Sequence, residues 1–238
     1  MILTVSAAAC GRQDSPADAG QETESAASGT ASAESASEES ASTESASEEE
    51  TSSQAEAEGS NILIAYFTAA ENSGVDAASS ASYTTVGGQA VGRLRAVADM
   101  IQENVGGDLF SIRTSVVYPT DGGELIDYAA DEQDENARPE LTSHIENLDQ
   151  YDVIFIGYPN WWADLPMAVY SFFDEYDFSG KTIIPFNVHN GSRFSRTIET
   201  IKELEPNADV VEDGFTVSEQ NVADAADDVA SWLAGLGY

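Results

Sequence analysis

The sequence predicts a doubly wound α/β domain, a parallel sheet of five strands between two layers of helices. Three observations predict it. Short apolar runs rich in Val, Ile and Phe recur with no helical spacing, as expected for strands covered on both faces. Between them lie segments with apolar residues at helical spacing, and strand and helix alternate five times. The stretch Tyr151–Pro166, YDVIFIGYPNWWADLP, runs from the most apolar of these strands into a loop with two adjacent tryptophans, which makes it the centre of the sheet.

The elements follow in order. Asn61–Phe67, NILIAYF, reads as the first buried strand, and Thr68–Gly88 as a long polar loop. From Gly92, RLRAVADMIQENV carries Leu94, Val97, Ala98, Ile101 and Val105 at helical spacing, with Gly106-Gly107 closing the helix. Asp108–Arg113 alternates as a second strand, and Glu124–Ala137 reads as an exposed acidic helix. In the central stretch the strand ends at Ile156; Gly157, Pro159 and Asn160 turn the chain, and Pro166 opens a helix over MAVYSFFDEY. Lys181–Asn187, KTIIPFN, is a fourth strand. Its GKT is not a phosphate-binding loop, because Glu175 stands where that motif needs glycine and a strand follows. The polar loop VHNGSRFSR leads to the helix Ser195–Glu205, Asp209–Val217 is a fifth strand, and Asn221–Leu236 is the closing helix.

Composition bounds the partners. The 238 residues include 43 acidic and 9 basic ones, a formal charge of -34, so nucleic acid is excluded as a partner. Residues 1–60 hold 13 acids and one base, net -12, which leaves -22 for residues 61–238. Cys10 is the sole cysteine. It follows MILTVSAAA and resembles the cleavage site of a bacterial lipoprotein signal, in which the cysteine takes the lipid. That implies residues 1–10 as a signal remnant ending in a lipidated Cys10. Residues 11–60, nearly all Ser, Ala, Glu, Thr, Gln, Asp and Gly, then form a disordered acidic tether, having nothing to bury against the entropy of ordering. Such a chain reaches roughly 40 Å. Residues 61–238 form one domain, held at the extracytoplasmic face of the membrane.

In an open α/β sheet, ligands bind beyond the carboxyl ends of the strands, which here gather Thr68, Gly92, Pro159–Asp164 and the loop after Val188. The sequence has no G-x-S-x-G elbow, no G-x-G-x-x-G and no metal-binding cluster of His and Cys. An acid/base site pairing Asp164 with His189 stays open. The runs ILIAYFT, DYAADEQDENARPEL, GYPNWWADLPMAVYSF and SGKTIIPFNVHNGSRFSRTI resemble the flavodoxin-like family, especially its bacterial lipoprotein branch, over nearly the whole domain. The resemblance implies a flavodoxin-like three-layer αβα sandwich of strand order 2-1-3-4-5 with non-covalent FMN at the carboxyl edge. By position it implies that Thr68, Gly92, Arg93 and Leu94 hold the phosphate. Pro159, Asn160, Trp161, Trp162 and Ala163 cover one side of the ring, and His189, Asn190 and Gly191 flank the other. The family has a hydroxyl-bearing Gly-Asn-Thr where this chain has Gly92-Arg93-Leu94; the guanidinium of Arg93 can replace the hydroxyl by charge pairing. Two functions follow: a membrane-tethered carrier passing electrons to a redox partner or to a small acceptor such as a quinone, or a flavin-free binding and scaffold module.

Overall fold

The computed structural model describes residues 61–73 and 82–238; the cysteine and the tether assigned from sequence lie outside them. The elements are β1 (Ile62–Tyr66), β2 (Tyr83–Val86), β3 (Gln89–Gly92), α1 (Arg93–Val105), β4 (Asp108–Ser111), α2 (Gly122–Asp134) and β5 (Val153–Pro159). They continue with α3 (Met167–Glu175), β6 (Thr182–His189), α4 (Thr197–Leu204), β7 (Asp209–Val210), β8 (Phe215–Ser218) and α5 (Ala226–Leu236). The main sheet is parallel, in the order β4-β1-β5-β6-β7, with β8 also on β6. In terms of the five sheet positions this is 2-1-3-4-5.

Both faces of the sheet are apolar because successive strand residues point opposite ways. Ile62, Ile64, Tyr66 and Phe155 face α1 and α5, where Leu94, Val97, Ile101, Val229 and Leu233 close over them. Leu63, Ala65, Phe67, Ile154, Ile156 and Tyr158 face the opposite layer, meeting Leu125, Val169, Phe172 and Ile201 from α2, α3 and α4. Asp121 starts α2 by accepting N–H bonds from Gly123 and Glu124 at 2.8 and 3.1 Å.

Three sequence assignments are corrected. The end of the loop expected over Thr68–Gly88 is half of a hairpin, β2–β3, turned by Gly87 and Gly88 at φ 58° and 83°. A Gly-Gly pair between Val86 and an extended run is a recognised signal for this two-residue turn. Gly157 does not end the central strand: β5 continues to Pro159, with Gly157 opposite Tyr66 and Phe186. The fifth strand is broken in two. The break faces Ile184-Pro185 of β6, where proline offers no N–H to the ladder.

One buried acid makes stability depend on pH. Glu132 of α2 is buried and accepts the Tyr118 hydroxyl at 3.2 Å on both oxygens. Burial pushes its carboxyl up to about 7, against which the Tyr118 bond pulls it down. The folded state therefore holds a proton that the unfolded state releases from about pH 4.5 upward, so this group's contribution falls as pH rises to 7 and is then constant. Glu132→Gln keeps an acceptor for Tyr118 and removes the charge. With allowance for solvent screening, it should stabilise the protein at pH 8 by about 1 kcal/mol, roughly 2–4 °C in Tm, and change little at pH 4.5. Thermal melts at the two pH values check this.

Candidate functional site

Strand order reverses between β1 and β5, and the loops at their carboxyl ends part to leave a crevice. A pocket of about 380 Å³ opens there. Its apolar wall is Leu125, Ile126 and Ala129 of α2 with Trp161 and Trp162; its base is Pro159 and Asn160, with Ala163 beside them. Val188, His189, Asn190 and Ser192 form the far side, and Glu219 lies at its edge.

The tryptophan loop is a tight turn. Trp161 and Asp164 exchange both backbone hydrogen bonds, at 3.1 and 2.9 Å, and the residues between them, Trp162 and Ala163, have φ of 51° and 64°. Two successive left-handed residues define the turn type that normally takes Asn-Gly. Side chains with a β-carbon are strained there. Asp164 anchors the turn from beneath. Its carboxylate is buried and accepts from the Leu165 N–H and the Thr200 hydroxyl at 2.9 Å and from the Tyr170 hydroxyl at 3.2 Å. Those bonds tie it to α3 and α4, and Asp164 is not among the residues lining the pocket. The structure thus does not bring Asp164 and His189 together as an acid/base pair. Replacing Ala163 by glycine should relieve the turn and stabilise the domain by about 1 kcal/mol, readable as a shift in the urea midpoint at constant slope.

The two tryptophans part ways. Trp161 lies half-buried, edge-on to Phe67 at 5.6 Å and tilted on Tyr118 at 5.8 Å. Trp162 is 56% exposed and donates its indole N–H to the Ile126 carbonyl at 3.0 Å.

The far side is held by amides. Asn160 and the fully buried Asn187 both donate to the Arg193 carbonyl, at 2.5 and 2.9 Å, while Thr216 donates to the Asn187 oxygen at 2.6 Å. Arg193 and Ser195 take φ of 52° and 50°, so this loop too is curled by left-handed residues. The Gly191 N–H donates to His189 Nδ1 at 2.9 Å, which leaves the proton of the neutral ring on Nε2. Burial and, after it, the Arg193 charge hold the His189 imidazole below its ordinary range, opposed by Glu219. Asn160 Oδ1 is buried and, among the described residues, has no hydrogen-bond partner. Such an acceptor among the pocket-lining residues can take a donor from solvent or from a ligand.

The remaining positions form a second locus. Thr68 is buried at the end of β1, and a methyl group on Gly92 would lie 3.1 Å from its hydroxyl oxygen. Gly92 closes β3 and opens α1. The Arg93 N–H donates to the Ser82 carbonyl at 2.9 Å, its guanidinium pairs with Glu219 at 2.8 Å, and the Leu94 side chain turns into the core. Glu219 joins the two loci, since it both pairs with Arg93 and lines the pocket.

The profile of one protein family, described as flavodoxin, matches residues 81–236. The chain belongs to the flavodoxin family. Among solved structures, a candidate flavoprotein from Bacteroides uniformis is 25% identical, with a TM-score of 0.57 over 74% of this chain and 99% of that one. A candidate flavoprotein from Bacteroides eggerthii is 28% identical, with a TM-score of 0.51 over 71% of this chain and 97% of that one. No curated protein matches in sequence.

In this flavodoxin the pocket takes in the predicted Pro159 to Ala163, His189 and Asn190, while Gly191 supports His189 from outside the lining. Sequence reasoning missed Leu125, Ile126 and Ala129. The acidic residues of Glu124–Ala137 mask the one signal there is, Leu125 and Ala129 four apart on one face of the helix. It missed Glu219 as well, one acid among 43 with no local signal.

Proposed function

We propose that this flavodoxin binds FMN non-covalently in the pocket and passes electrons, either to a redox partner or to a small acceptor such as a quinone. The observation that carries the reading is the crevice at the reversal of strand order, with a flat aromatic wall and the unsatisfied Asn160 oxygen in its floor. The residues fit the group. A flat ring bearing an N–H satisfies that acceptor, and a volume of about 380 Å³ lies in the range of cofactor pockets. Bound there, the flavin supplies the electron-accepting and electron-donating chemistry.

The chain's own residues do the rest. Trp161 and the α2 residues exclude water from one side, and the more exposed Trp162 lies along the lining with them. Asn160 accepts from the ligand, and His189 offers a neutral ring that brings no positive charge to the site. A net charge of -22 over residues 61–238 opposes the addition of further negative charge and so favours a low reduction potential. We also propose that lipidated Cys10 and residues 11–60 tether the domain outside the cell membrane; labelled fatty acid should enter the parent protein in cells and not Cys10→Ser.

A second reading, a flavin-free binding or scaffold module, is favoured by the Arg93–Glu219 ion pair at the phosphate end. Titration of the apoprotein with FMN separates the two. Saturable binding with a perturbed flavin spectrum supports the first reading, and absence of binding to the folded protein moves the assignment to the second.

A further inference from the structure

Arg93 and Glu219 are 126 residues apart in sequence and 2.8 Å apart in space, with side chains only 13% and 17% exposed. A pair so far withdrawn from water is not broken without cost, because removing either partner strands the other's charge. Glu219 is also fixed in place. It directly follows β8, and its N–H donates to the His189 carbonyl at 2.9 Å, tying it to the loop on the far side of the pocket. A carboxylate therefore lies between the pocket and the guanidinium at the start of α1. A phosphate arriving beside Gly92 meets that negative charge at close range and shares the Arg93 guanidinium with it.

We infer that Glu219 is a specificity residue: it occupies on Arg93 the place a ligand phosphate would take, and so holds down the preference for a phosphorylated flavin over its unphosphorylated form. The inference rests on the proposed flavin binding and adds to it the choice between FMN and riboflavin, which differ only in the phosphate. Removing the carboxylate takes away the contact at the Arg93 Nη1 and leaves that edge of the guanidinium to a charge-assisted hydrogen bond with a phosphate. Glu219 also lines the pocket, so riboflavin, which lacks the phosphate, serves as the control: a change at the pocket wall alters both ligands alike, whereas relief of the charge conflict at Arg93 alters the ratio between them.

The test is titration of the full-length apoprotein with FMN and with riboflavin, for the parent, Glu219→Gln and the double variant Arg93→Ala/Glu219→Gln. Glutamine preserves an uncharged hydrogen bond to Arg93, and near-ultraviolet circular dichroism checks that each variant is folded. The parent should bind FMN less than tenfold more tightly than riboflavin. Glu219→Gln should raise that ratio at least tenfold, and the double variant should return it to the parent value. A parent ratio above tenfold overturns the inference without recourse to any variant. So does a Glu219→Gln ratio that rises less than tenfold, which would make the pair a staple between α1 and the end of β8. If neither flavin binds the folded parent, the flavin reading itself fails; if riboflavin binds and the ratio does not move, only the role of Glu219 is lost.

Discussion

Trp161→Ala is expected to cost roughly 3 kcal/mol of folding stability, whereas Trp162→Ala should cost about 1 kcal/mol, the worth of one hydrogen bond. The reason is position. Trp161 packs on Phe67 and Tyr118 and closes one end of the aromatic cluster that continues to Tyr128. Its removal opens a large hole beside fully buried rings. Trp162 gives up only a hydrogen bond to Ile126 and exposed area, and alanine inherits the same left-handed backbone. Ligand binding should show the reverse selectivity. Trp162→Ala should weaken FMN and riboflavin alike by about 1–3 kcal/mol, as stacking on an aromatic is worth, and should restore quenched flavin fluorescence. Urea unfolding and fluorescence titration of both variants measure the two effects. Equal stability losses in the two would show that the division of labour is wrong, and unaltered flavin affinity in Trp162→Ala would place the ring elsewhere.

Gly157→Ala is expected to destabilise the domain by about 3 kcal/mol, at the upper end of overpacking effects. A methyl group at Gly157 would lie 2.2 Å from Phe186 Cζ and 2.4 Å from Cε2, and Phe186 is fully buried in the face under α1 and α5. The ring lies across the strand in the space a side chain would fill. Neither strand can shift, since β5 pairs with β1 on one side and β6 on the other. Adding Phe186→Leu should recover part of the loss by removing the clashing atoms, although it forfeits aromatic packing. A denaturation midpoint for Gly157→Ala within 1 kcal/mol of the parent would mean the ring moves freely, contrary to close packing in the core.

Much of the fold was legible because the inner strands β1, β5 and β6 are apolar on both faces and helices such as α1 carry their own period. Ile62–Tyr66 and Val153–Ile156 announce themselves within a few residues, as does α1 with Leu94, Val97 and Ile101. The hairpin was hidden by its composition, since Tyr83–Gly92 includes small polar and exposed residues whose extended form rests on pairing with each other. The break in the last strand depends on Pro185, which belongs to a different strand from the one it interrupts.

Of the site, the sequence by itself determined the loop with two tryptophans at the end of the central strand, the loop after Val188, and the replacement of a hydroxyl by Arg93-Leu94 after Gly92. These are matters of residue type and local order. Only the tertiary structure decided which tryptophan is packed and which is exposed, that Asp164 serves the scaffold, that α2 supplies a wall, and that Arg93 meets Glu219. The physical reason is that local periodicity is set by neighbours a few residues away. The direction of a side chain after a turn depends on the sign of φ at Trp162 and Ala163, and the partner of a charge depends on which loops the sheet order brings to one edge.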